Sequence, residues 1–516
     1  MLCFKRILGK IISKWYFKKG RKNYFLLNIL LEFRSGVILT AILKKEKLIA
    51  KNISNCPSIE LERLNELLTG RHLITLNEDI HNTFTEKHNK EIYDKSFRLI
   101  GTSTPEMLNK LSLALLSRMS VIYIDEYNVK EQKIVLNNYI LENNLNISPK
   151  DLNILLDFVE KYKNKTGNDF SLNKIINTIR IISQMNSLNK EQNTYNIIVS
   201  LYYMTIGNIE KRVICNKDGI YTEKQIIKNI KELFSFETRT LPLIENKSPF
   251  EEINEKGIIK IKSLFSNLSL SVGKNRQIFL NKPQEYAFTR NFIELLNVIH
   301  LGLTTKTPVI LEGKTGYCKF TAIKYLSQLM GYKTITIKIS KSTQINSLFG
   351  KTIIKNNENN DKITIEDSKT ELLTVLENEY ECNETIIIFE YLENSSIGLF
   401  EILSSILSFK SDNILLPNGV ILKKCPMQII GIVDSEKDNL IRTKIPSSIM
   451  SSCIYYIVDE PSEYETGIIL ATKMKNSIPL SVKPYLENEI KDLFYIYLKV
   501  SKRKWNWEKN YITWYK

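Results

Sequence analysis

The feature that most constrains the fold of this chain is a weak internal repeat. Residues 38–42 (ILTAI) resemble residues 372–376 (LLTVL), residues 61–68 (LERLNELL) resemble residues 400–407 (FEILSSIL), and residues 121–126 (VIYIDE) resemble residues 455–460 (YYIVDE). The order is the same in both copies. A period of roughly 330–340 residues is too long for a solenoid repeat and is typical of tandem copies of a whole domain.

Each copy alternates short apolar strands with amphipathic helices, which indicates an α/β fold with a mostly parallel sheet and flanking helices. In the second copy, Thr289 is the expected N-cap of a helix, and five strand candidates follow, at residues 308–311, 334–339, 385–389, 428–433 and 454–458. The first copy has no room for a strand–loop–helix unit before Leu39. We therefore expect a first core without such a unit and a second core that has one.

Composition sets broad limits on the function. The chain has 43% hydrophobic and 25% charged residues, which are globular values. The formal net charge of +16 suits a phosphate-rich partner such as RNA, but it also follows from a general abundance of lysine. The seven scattered cysteines form no CxxC pair, which argues against a zinc site or a disulfide framework. The basic start of the chain predicts a surface helix, and charges interrupt every apolar run before it could span a membrane.

A degenerate phosphate-binding loop follows the first strand candidate of the second copy. The expected pattern is GxxxxGK[ST], in which backbone N–H groups and the N-terminus of a helix hold the phosphates. Cys318 stands where the second glycine belongs, and Phe320 stands where a hydroxyl should reach magnesium. The candidate nucleotide-binding residues are Gly313, Lys314, Thr315, Gly316, Tyr317, Cys318, Lys319, Phe320 and Thr321.

The segments around this loop resemble the midasin family, the dynein-related AAA+ ATPases of large-ribosomal-subunit maturation. Residues 307–350 resemble the opening of a module of that family, residues 385–419 its Walker B strand, helix and hairpin, residues 427–435 its sensor-1 strand, and residues 444–462 its arginine-finger region. In the first copy, residues 32–78 resemble the Walker B half of a neighbouring module, and residues 97–126 its sensor-1 and finger segments.

The resemblance implies two tandem AAA+ modules of the P-loop NTPase type, each followed by an α-helical lid. It divides the chain into a basic N-terminal leader helix (1–24), the C-terminal half of a first core (25–126), a helical lid (127–245), a linker (246–285), a second core with a degenerate phosphate loop (286–460) and an incomplete helical lid (461–516).

In the second module, the resemblance assigns the phosphate-loop lysine to Lys319 and the magnesium-holding Walker B position to Glu390. Tyr391 takes the place of the water-activating glutamate, and a phenol with a pKa near ~10 is a poor base at neutral pH. Asp434 replaces the sensor-1 asparagine, and Ser452 replaces the arginine finger. The implied ligands are ATP and Mg²⁺, although Phe320 crowds the metal position.

In the first module, Lys51 and Asn52 occupy the two Walker B positions, and Thr104 lies at sensor 1. Arg118 matches an arginine finger, which would serve a preceding module, and Asn173 falls where the sensor-2 arginine of the lid belongs. Loss of an arginine finger alone costs ~10³–10⁵ in rate for phosphoryl transfer. We therefore expect hydrolysis to be negligible.

The family implies a role within an AAA+ ring that remodels pre-60S ribosomal particles together with their assembly factors in the nucleus. Three alternatives are kept. The chain could be an active hydrolase with an unusual site, a non-enzymatic RNA- or protein-binding scaffold that retains the AAA+ fold, or a member of another dynein-like AAA+ family such as the giant ubiquitin-ligase ATPases.

Overall fold

The computed structural model describes most of the sequence in two compact units, unit 1 (Met1–Glu126) and unit 2 (Tyr127–Lys516). The described residues are 9–19, 25–35, 46–56, 61–68, 98–166, 170–188, 214–221, 248–273, 286–357, 362–378, 381–407, 413–415, 421–423, 427–435, 445–462 and 465–473, with gaps of one or two residues inside some ranges and a few isolated positions between them.

Unit 1 begins with an antiparallel pair of strands, β1 (Gly9–Lys19) and β2 (Phe25–Ser35), in which Gly9 is opposite Ser35. The leader helix predicted for residues 1–24 is therefore wrong for Gly9–Lys19. Two physical reasons favour the strand. The segment is rich in β-branched and aromatic residues, which favour extended backbone, and an apolar partner segment of equal length follows it closely in sequence.

The rest of unit 1 is a small α/β layer. Strand β3 (Lys47–Ala50) pairs in parallel with β4 (Arg98–Gly101), and a 3₁₀ turn (Ile53–Asn55) follows β3. The described part also contains three short helices, α1 (Leu64–Leu68), α2 (Pro105–Leu108) and α3 (Leu113–Leu116), and residues 38, 40 and 41 are helical as well. One face of the strand pair packs against a core that includes Ile53, Leu64 and Leu115.

Unit 2 is built on a five-stranded, fully parallel sheet. In chain order its strands are β10 (Val309–Gly313), β11 (Lys333–Lys338), β14 (Thr385–Glu390), β17 (Gln428–Asp434) and β18 (Ile454–Ile457), and their order in space is β11-β14-β17-β10-β18. All five strands predicted from the sequence are confirmed. The first strand lies between the fourth and the fifth, and every loop that leaves a carboxyl end opens at the same edge of the sheet.

Helices cover both faces of this sheet, as its apolar strands require. One face packs against α7 (Arg290–Thr304) and α8 (Lys319–Met330), and the other against α10 (Glu371–Glu377), α11 (Ile397–Leu407) and α12 (Ser447–Ser452). A short helix, α9 (Ile345–Phe349), follows β11. The predicted N-cap of α7 is confirmed, because Thr289 Oγ1 accepts a hydrogen bond of 3.4 Å from the Phe292 amide.

The region between the two cores is helical over its first half. Helices α4 (Val129–Glu142), α5 (Pro149–Thr166) and α6 (Leu172–Leu188) bury their apolar faces in the same core as α7 and α8. Helix α6 packs against α12, where Asn177 Nδ2 donates to the Ser451 carbonyl at 3.4 Å. Further along, β5 (Ile214–Asn216) and β6 (Gly219–Tyr221) form a small hairpin inside the range predicted to be a helical lid.

The segment predicted to be a linker contains an antiparallel meander. Its strands are β7 (Phe250–Glu255), β8 (Ile258–Ser263) and β9 (Ser269–Ser271). Ser263 Oγ donates to Asn297 Oδ1 at 3.1 Å, and Tyr332 Oη donates to the Ser271 carbonyl at 2.9 Å. The meander is therefore packed onto the second core. Sequence reasoning missed it, although the alternation of apolar and charged residues in β8 (IIKIKS) is typical of a strand.

Two further hairpins extend from unit 2, β12 (Lys351–Asn357) with β13 (Lys362–Ser368), and β15 (Asn413–Leu415) with β16 (Ile421–Lys423). In the predicted second lid, residues 465–469 and 472–473 are helical, and residues 474–516 lie outside the described residues. Among the described residues, no helix is both long and apolar enough to cross a bilayer, and no cluster of potential metal ligands occurs.

The internal repeat extends to the details of the backbone. Ala50 of β3 is opposite Gly101 of β4, and the aligned residues of the second copy, Phe389 and Gly431, are opposite each other in β14 and β17. Residues that follow both strands adopt the left-handed conformation, with φ 52° at Asn52 and 59° at Tyr391, and each precedes a 3₁₀ turn.

The two copies also share a close glycine contact. A Cβ added at Gly101 would lie 3.1 Å from Ile53 Cγ2, and one at Gly431 would lie 3.2 Å from Leu392 Cδ2, the aligned side chain. Helices α1 and α11 likewise coincide with the repeated segments around Leu64 and Leu403, both of which are buried. The sequence repeat is therefore a structural repeat.

One part of the repeat differs between the copies. The segment VIYIDE at residues 121–126 resembles a predicted strand of the second copy, but its described residues, 121–125, have no regular structure. Its counterpart in unit 2, β18, pairs with β10. No strand equivalent to β10 occurs among the described residues of unit 1, so the segment has no neighbour with which to form a ladder.

Candidate functional site

The candidate site is the loop between β10 and α8, at the carboxyl edge of the parallel sheet. The strand ends at Gly313, the loop covers residues 314–318, and α8 begins at Lys319. A helix of twelve residues points its N-terminus, the positive end of its dipole, at the space enclosed by the loop. This is the strand, bend and helix that the sequence predicted, and it is an arrangement that can hold an anion.

The backbone of the loop uses two residues with positive φ. Gly316 has φ 92° and Cys318 has φ 56°. Cys318 is the N-cap of α8 and stands at the position where the phosphate-loop pattern has its second glycine. Cys318 therefore adopts the left-handed backbone conformation that glycine would adopt at this position. For an L residue this conformation costs about 1–2 kcal/mol relative to a favoured one.

Lys319 lies in the first turn of α8 and folds back over the loop. Its Nζ donates hydrogen bonds to the carbonyls of Gly313 and Lys314, the second at 2.8 Å, and the side chain is buried. The ammonium group thus lies inside the loop, where a bound phosphate would meet it. A lysine at this point acts as a positive charge for β- and γ-phosphates.

Asp434 lies at the carboxyl end of β17 and is held against the loop. Its Oδ2 accepts a hydrogen bond of 2.7 Å from Thr315 Oγ1. Its backbone N–H donates to Glu393 Oε2 at 3.2 Å, and Glu393 is itself buried. The Asp434 carboxylate therefore stands beside the loop, and its negative charge opposes the approach of a phosphate.

The Walker B positions lie at the end of β14. Glu390 is half-buried, and its Oε2 lies 4.0 Å from Lys338 Nζ at the end of the neighbouring strand. Tyr391 is 39% exposed and adopts the left-handed conformation. A carboxylate at Glu390 is a suitable oxygen ligand for magnesium. Phe320, the residue in place of the metal-binding hydroxyl, is 46% exposed and offers no oxygen ligand.

A small cavity of about 80 Å³ adjoins the loop. Tyr317, Cys318 and Thr321 line it from the loop and from α8, and Phe292 and Leu295 line it from α7. Burial raises the pKa of the Cys318 thiol above its usual value. The nearby charge of Lys473 acts in the opposite direction but is the smaller effect. The remaining lining residues are Tyr286, Ala287, Thr289, Asn291, Val458, Pro461, Ile469 and Lys473.

A buried carboxylate holds Asn291, one of the residues that line this cavity. Glu465 Oε1 accepts a hydrogen bond of 2.9 Å from the Asn291 amide at the start of α7, and its Oε2 accepts from Asn291 Nδ2 at 3.0 Å. The segment after β18 is thereby tied to the start of α7. Because the walls are mostly apolar with a few polar groups, the cavity suits a flat, weakly polar ring.

In unit 1, the predicted site residues are distributed differently. Lys51 and Thr104 are exposed, and the Asn52 amide donates to Thr102 Oγ1 at 3.1 Å. Arg118 is also exposed, and its Nη1 donates to Asn65 Oδ1 at 3.2 Å and to the Ala114 carbonyl. Unit 1 therefore presents Arg118 on its surface next to α1. In unit 2, Asn173 lies in the first turn of α6 and Ser452 ends α12.

The sequence predicted the loop, Glu390, Tyr391 and Asp434 as site residues. In the structure they all lie at the carboxyl edge of the parallel sheet. Sequence reasoning missed Glu393, which supports the Asp434 backbone, Glu465, which binds the lining residue Asn291, and the lining residue Lys473. The acidic residue three positions after a buried strand was a usable signal for Glu393. No sequence signal pointed to Glu465, because its partner is 174 residues away.

No family model matches the chain. Among solved structures, it is similar to the crystal structure of a putative ATPase from Cytophaga hutchinsonii, with 10% sequence identity and a TM-score of 0.26. The match covers 35% of this chain and spans half the length of that protein.

Proposed function

We propose that unit 2 binds an adenine nucleotide and hydrolyses it slowly or not at all, as a module of a midasin-like AAA+ ring protein. The observation that carries this proposal is the loop between β10 and α8, where Lys319 and the helix N-terminus adjoin an apolar cavity. The phosphates would lie in the loop and the base in the cavity. The cavity is smaller than most ligand sites, so its side chains must move to admit the base.

Several substitutions argue against hydrolysis. Tyr391 cannot accept a proton from water at neutral pH as a carboxylate does. Phe320 removes one oxygen ligand from the magnesium ion, which leaves Glu390 as the candidate metal ligand. Asp434 replaces the sensor-1 asparagine and places a negative charge beside the loop. Binding without turnover is therefore the expected behaviour.

The wider role that we propose is structural. The module would act within a ring of AAA+ modules that remodels pre-60S ribosomal particles with their assembly factors in the nucleus, while other modules hydrolyse ATP. This part rests on the sequence resemblance of residues 25–480. RNA contact through the net charge of +16 belongs to the same proposal.

Isothermal titration calorimetry of the full chain with ATP, in EDTA and in excess Mg²⁺, tests the nucleotide site. We expect similar affinity under both conditions because Phe320 supplies no metal ligand. Lys319→Ala should weaken binding at least tenfold, since it removes the buried charge. Lys324→Ala is the matched control, because this exposed lysine lies in the same helix outside the loop.

A phosphate-release assay on the same proteins separates the alternatives. Turnover that disappears in Lys319→Ala would establish an active hydrolase. Absence of any ATP binding at millimolar concentration would refute the nucleotide site. In that case the charge of Asp434 excludes the phosphates, and the chain would be a scaffold that keeps the fold for its surfaces. Steeply salt-dependent RNA binding would identify such a scaffold.

A further inference from the structure

The antiparallel hairpin of β1 and β2 has its positive charge on one face. The two strands pair along all eleven residues of each. Alternate residues of a strand lie on opposite faces, and directly opposed residues share a face. The register therefore places Lys10, Lys14 and Lys18 on one face, with Arg34 directly opposite Lys10. This face, which we call the basic face, has one acidic residue, Glu32.

The other face of the hairpin is apolar. Eight of its twelve positions carry aliphatic or aromatic residues, namely Ile11, Trp15, Phe17, Phe25, Leu27, Ile29, Leu31 and Phe33. Antiparallel sheets commonly pack one face against protein and leave the other in water. Among the described residues, neither strand pairs with a third strand, and the open edges of a two-stranded ribbon cannot be satisfied inside a bilayer. This division favours the basic face as the face that meets a polar partner.

The net charge of the chain is concentrated in this segment. Residues 1–35 contain nine lysines and arginines and one acidic residue, a net charge of +8, which is half of the +16 of the whole chain. The hairpin of β12 and β13 stands at the equivalent place of the repeat, since it precedes residues 372–376 as the first hairpin precedes residues 38–42. Its strands carry three lysines against two acidic residues. The strong positive charge therefore belongs to the first hairpin and not to the repeat.

The spacing of the lysines suits a linear polyanion. Lys10, Lys14 and Lys18 recur every four residues, which in a strand places them about 14 Å apart along the ribbon. A nucleic acid presents its phosphates at regular intervals along such a line. Tyr16 lies on the same face between two of the lysines and directly opposite Asn28. An aromatic ring can stack on an unpaired base, and an amide can bond to its edge, so a single strand offers partners for every group.

We infer that the basic face of the first hairpin binds single-stranded RNA. Its lysines and Arg34 hold the phosphate backbone, and Tyr16 stacks on a base. Duplex RNA is a poorer partner, because its major groove is deep and narrow and its bases are already stacked. The inference rests on the RNA contact of the proposed function and gives that contact a place. It is independent of nucleotide binding by unit 2.

Fluorescence anisotropy of the full chain with a labelled oligouridine, measured over a series of salt concentrations, tests the inference. One variant combines Lys10→Gln, Lys14→Gln and Lys18→Gln. It should bind at least about tenfold more weakly at low salt, because three phosphate contacts are lost. The slope of log K against log salt should fall in magnitude by about 2, since each contact to a single strand contributes roughly 0.7.

The second hairpin supplies the matched control. Lys351→Gln, Lys355→Gln and Lys362→Gln remove the same charge from positions that also share one face of a two-stranded ribbon. This variant should keep the affinity and the salt slope of the parent chain.

Two further variants separate charge from fold and from stacking. Arginine at positions 10, 14 and 18 keeps the charge and should keep the salt slope. Tyr16→Leu should weaken binding at least about fivefold and leave the slope unchanged, because stacking involves no counterion release. Loss of binding in the arginine variant would contradict a phosphate-binding role for these positions.

Several results would overturn the inference. Equal losses in the two glutamine variants would show that RNA contact follows the net charge of the chain, so the proposed contact would stand without this site. No binding of RNA at low salt would refute both. Tighter binding to phosphatidylserine vesicles than to RNA would assign the hairpin to a membrane surface, and equal competition by polyglutamate would assign it to an acidic protein. The calorimetric titration with ATP reports separately on the nucleotide site.

Discussion

The hydroxyl of Thr315 donates a 2.7 Å hydrogen bond to the carboxylate of Asp434, across 119 residues of sequence. Thr315 belongs to the loop after the first strand of the sheet, and Asp434 ends the fourth. The two strands are neighbours in space, so the order of the strands brings the two side chains together. The bond fixes the loop, and it also fixes a negative charge beside the place where phosphates would bind.

The first prediction concerns this charge. Asp434→Asn keeps an acceptor for Thr315 and removes the repulsion, so ATP affinity should rise roughly tenfold, or about 1.4 kcal/mol. Thr315→Val removes the bond but keeps the charge, and should give no gain. Calorimetric titration of both variants measures the difference. Equal affinity of Asp434→Asn and the parent chain would contradict this role for the charge.

The second prediction concerns the left-handed backbone at Cys318. Cys318→Gly relieves a conformation that costs an L residue about 1–2 kcal/mol, and this gain exceeds the entropy that glycine adds to the unfolded chain. The free energy of unfolding in urea should therefore rise by up to about 1 kcal/mol. Cys318→Ala keeps the strain and is the control. If the alanine variant were stabilised equally, the thiol and not the backbone would be responsible.

The third prediction concerns the glycine shared by both copies. Gly431→Ala places a Cβ 3.2 Å from Leu392 Cδ2 and 3.4 Å from Ile310 Cγ1 in a closely packed core. Such overpacking typically costs about 1–3 kcal/mol. In a double-mutant cycle measured by urea unfolding, Leu392→Val should recover part of the loss. Strict additivity would show that these two side chains do not compete for the same space.

The fourth prediction concerns pH. Burial of His300 lowers its pKa from 6.5 to about 4, so the folded chain keeps this ring neutral where the unfolded chain protonates it. The unfolded state binds more protons between these values, and stability is full above pH 6.5 and lost as the pH falls towards 4. The loss between pH 7 and pH 5 should be about 2 kcal/mol.

Urea unfolding at pH 7 and pH 5 measures this loss. In His300→Phe the difference between the two pH values should shrink by most of that amount, whatever the variant's absolute stability. An unchanged difference would assign the pH dependence to other groups.

The strands of unit 2 were predictable because their signal is local. Each is a short apolar run between turn residues, and burial on both faces demands such a run. The N-cap at Thr289 was predictable for the same reason, since the cap and the first turn of a helix are adjacent in sequence.

The wrong predictions concern segments whose structure depends on distant partners. The basic segment before residue 20 has the composition of an amphipathic helix, yet β2 makes Gly9–Lys19 a strand. Residues 121–125 have the composition of a strand, yet no strand in the described part of unit 1 lies beside them. Secondary structure follows pairing more than composition in both segments.

The loop was predictable as a motif, but its interactions were not. The sequence placed Lys319 at the start of a helix, but its bonds to the carbonyls of Gly313 and Lys314 depend on how the loop bends. The bend in turn depends on the positive φ of Cys318. The sequence pattern has a glycine at this position, so it does not show whether a cysteine there adopts the same backbone conformation.

Helices α4 to α6 share one continuous core with the face of the second sheet that carries α8. The helical segment and the second core therefore bury their apolar side chains together, and α6 also bonds to α12 through Asn177. Unfolding of either part would expose the apolar surface of the other. In a calorimeter the two parts should melt in one transition, and limited proteolysis should release neither of them alone.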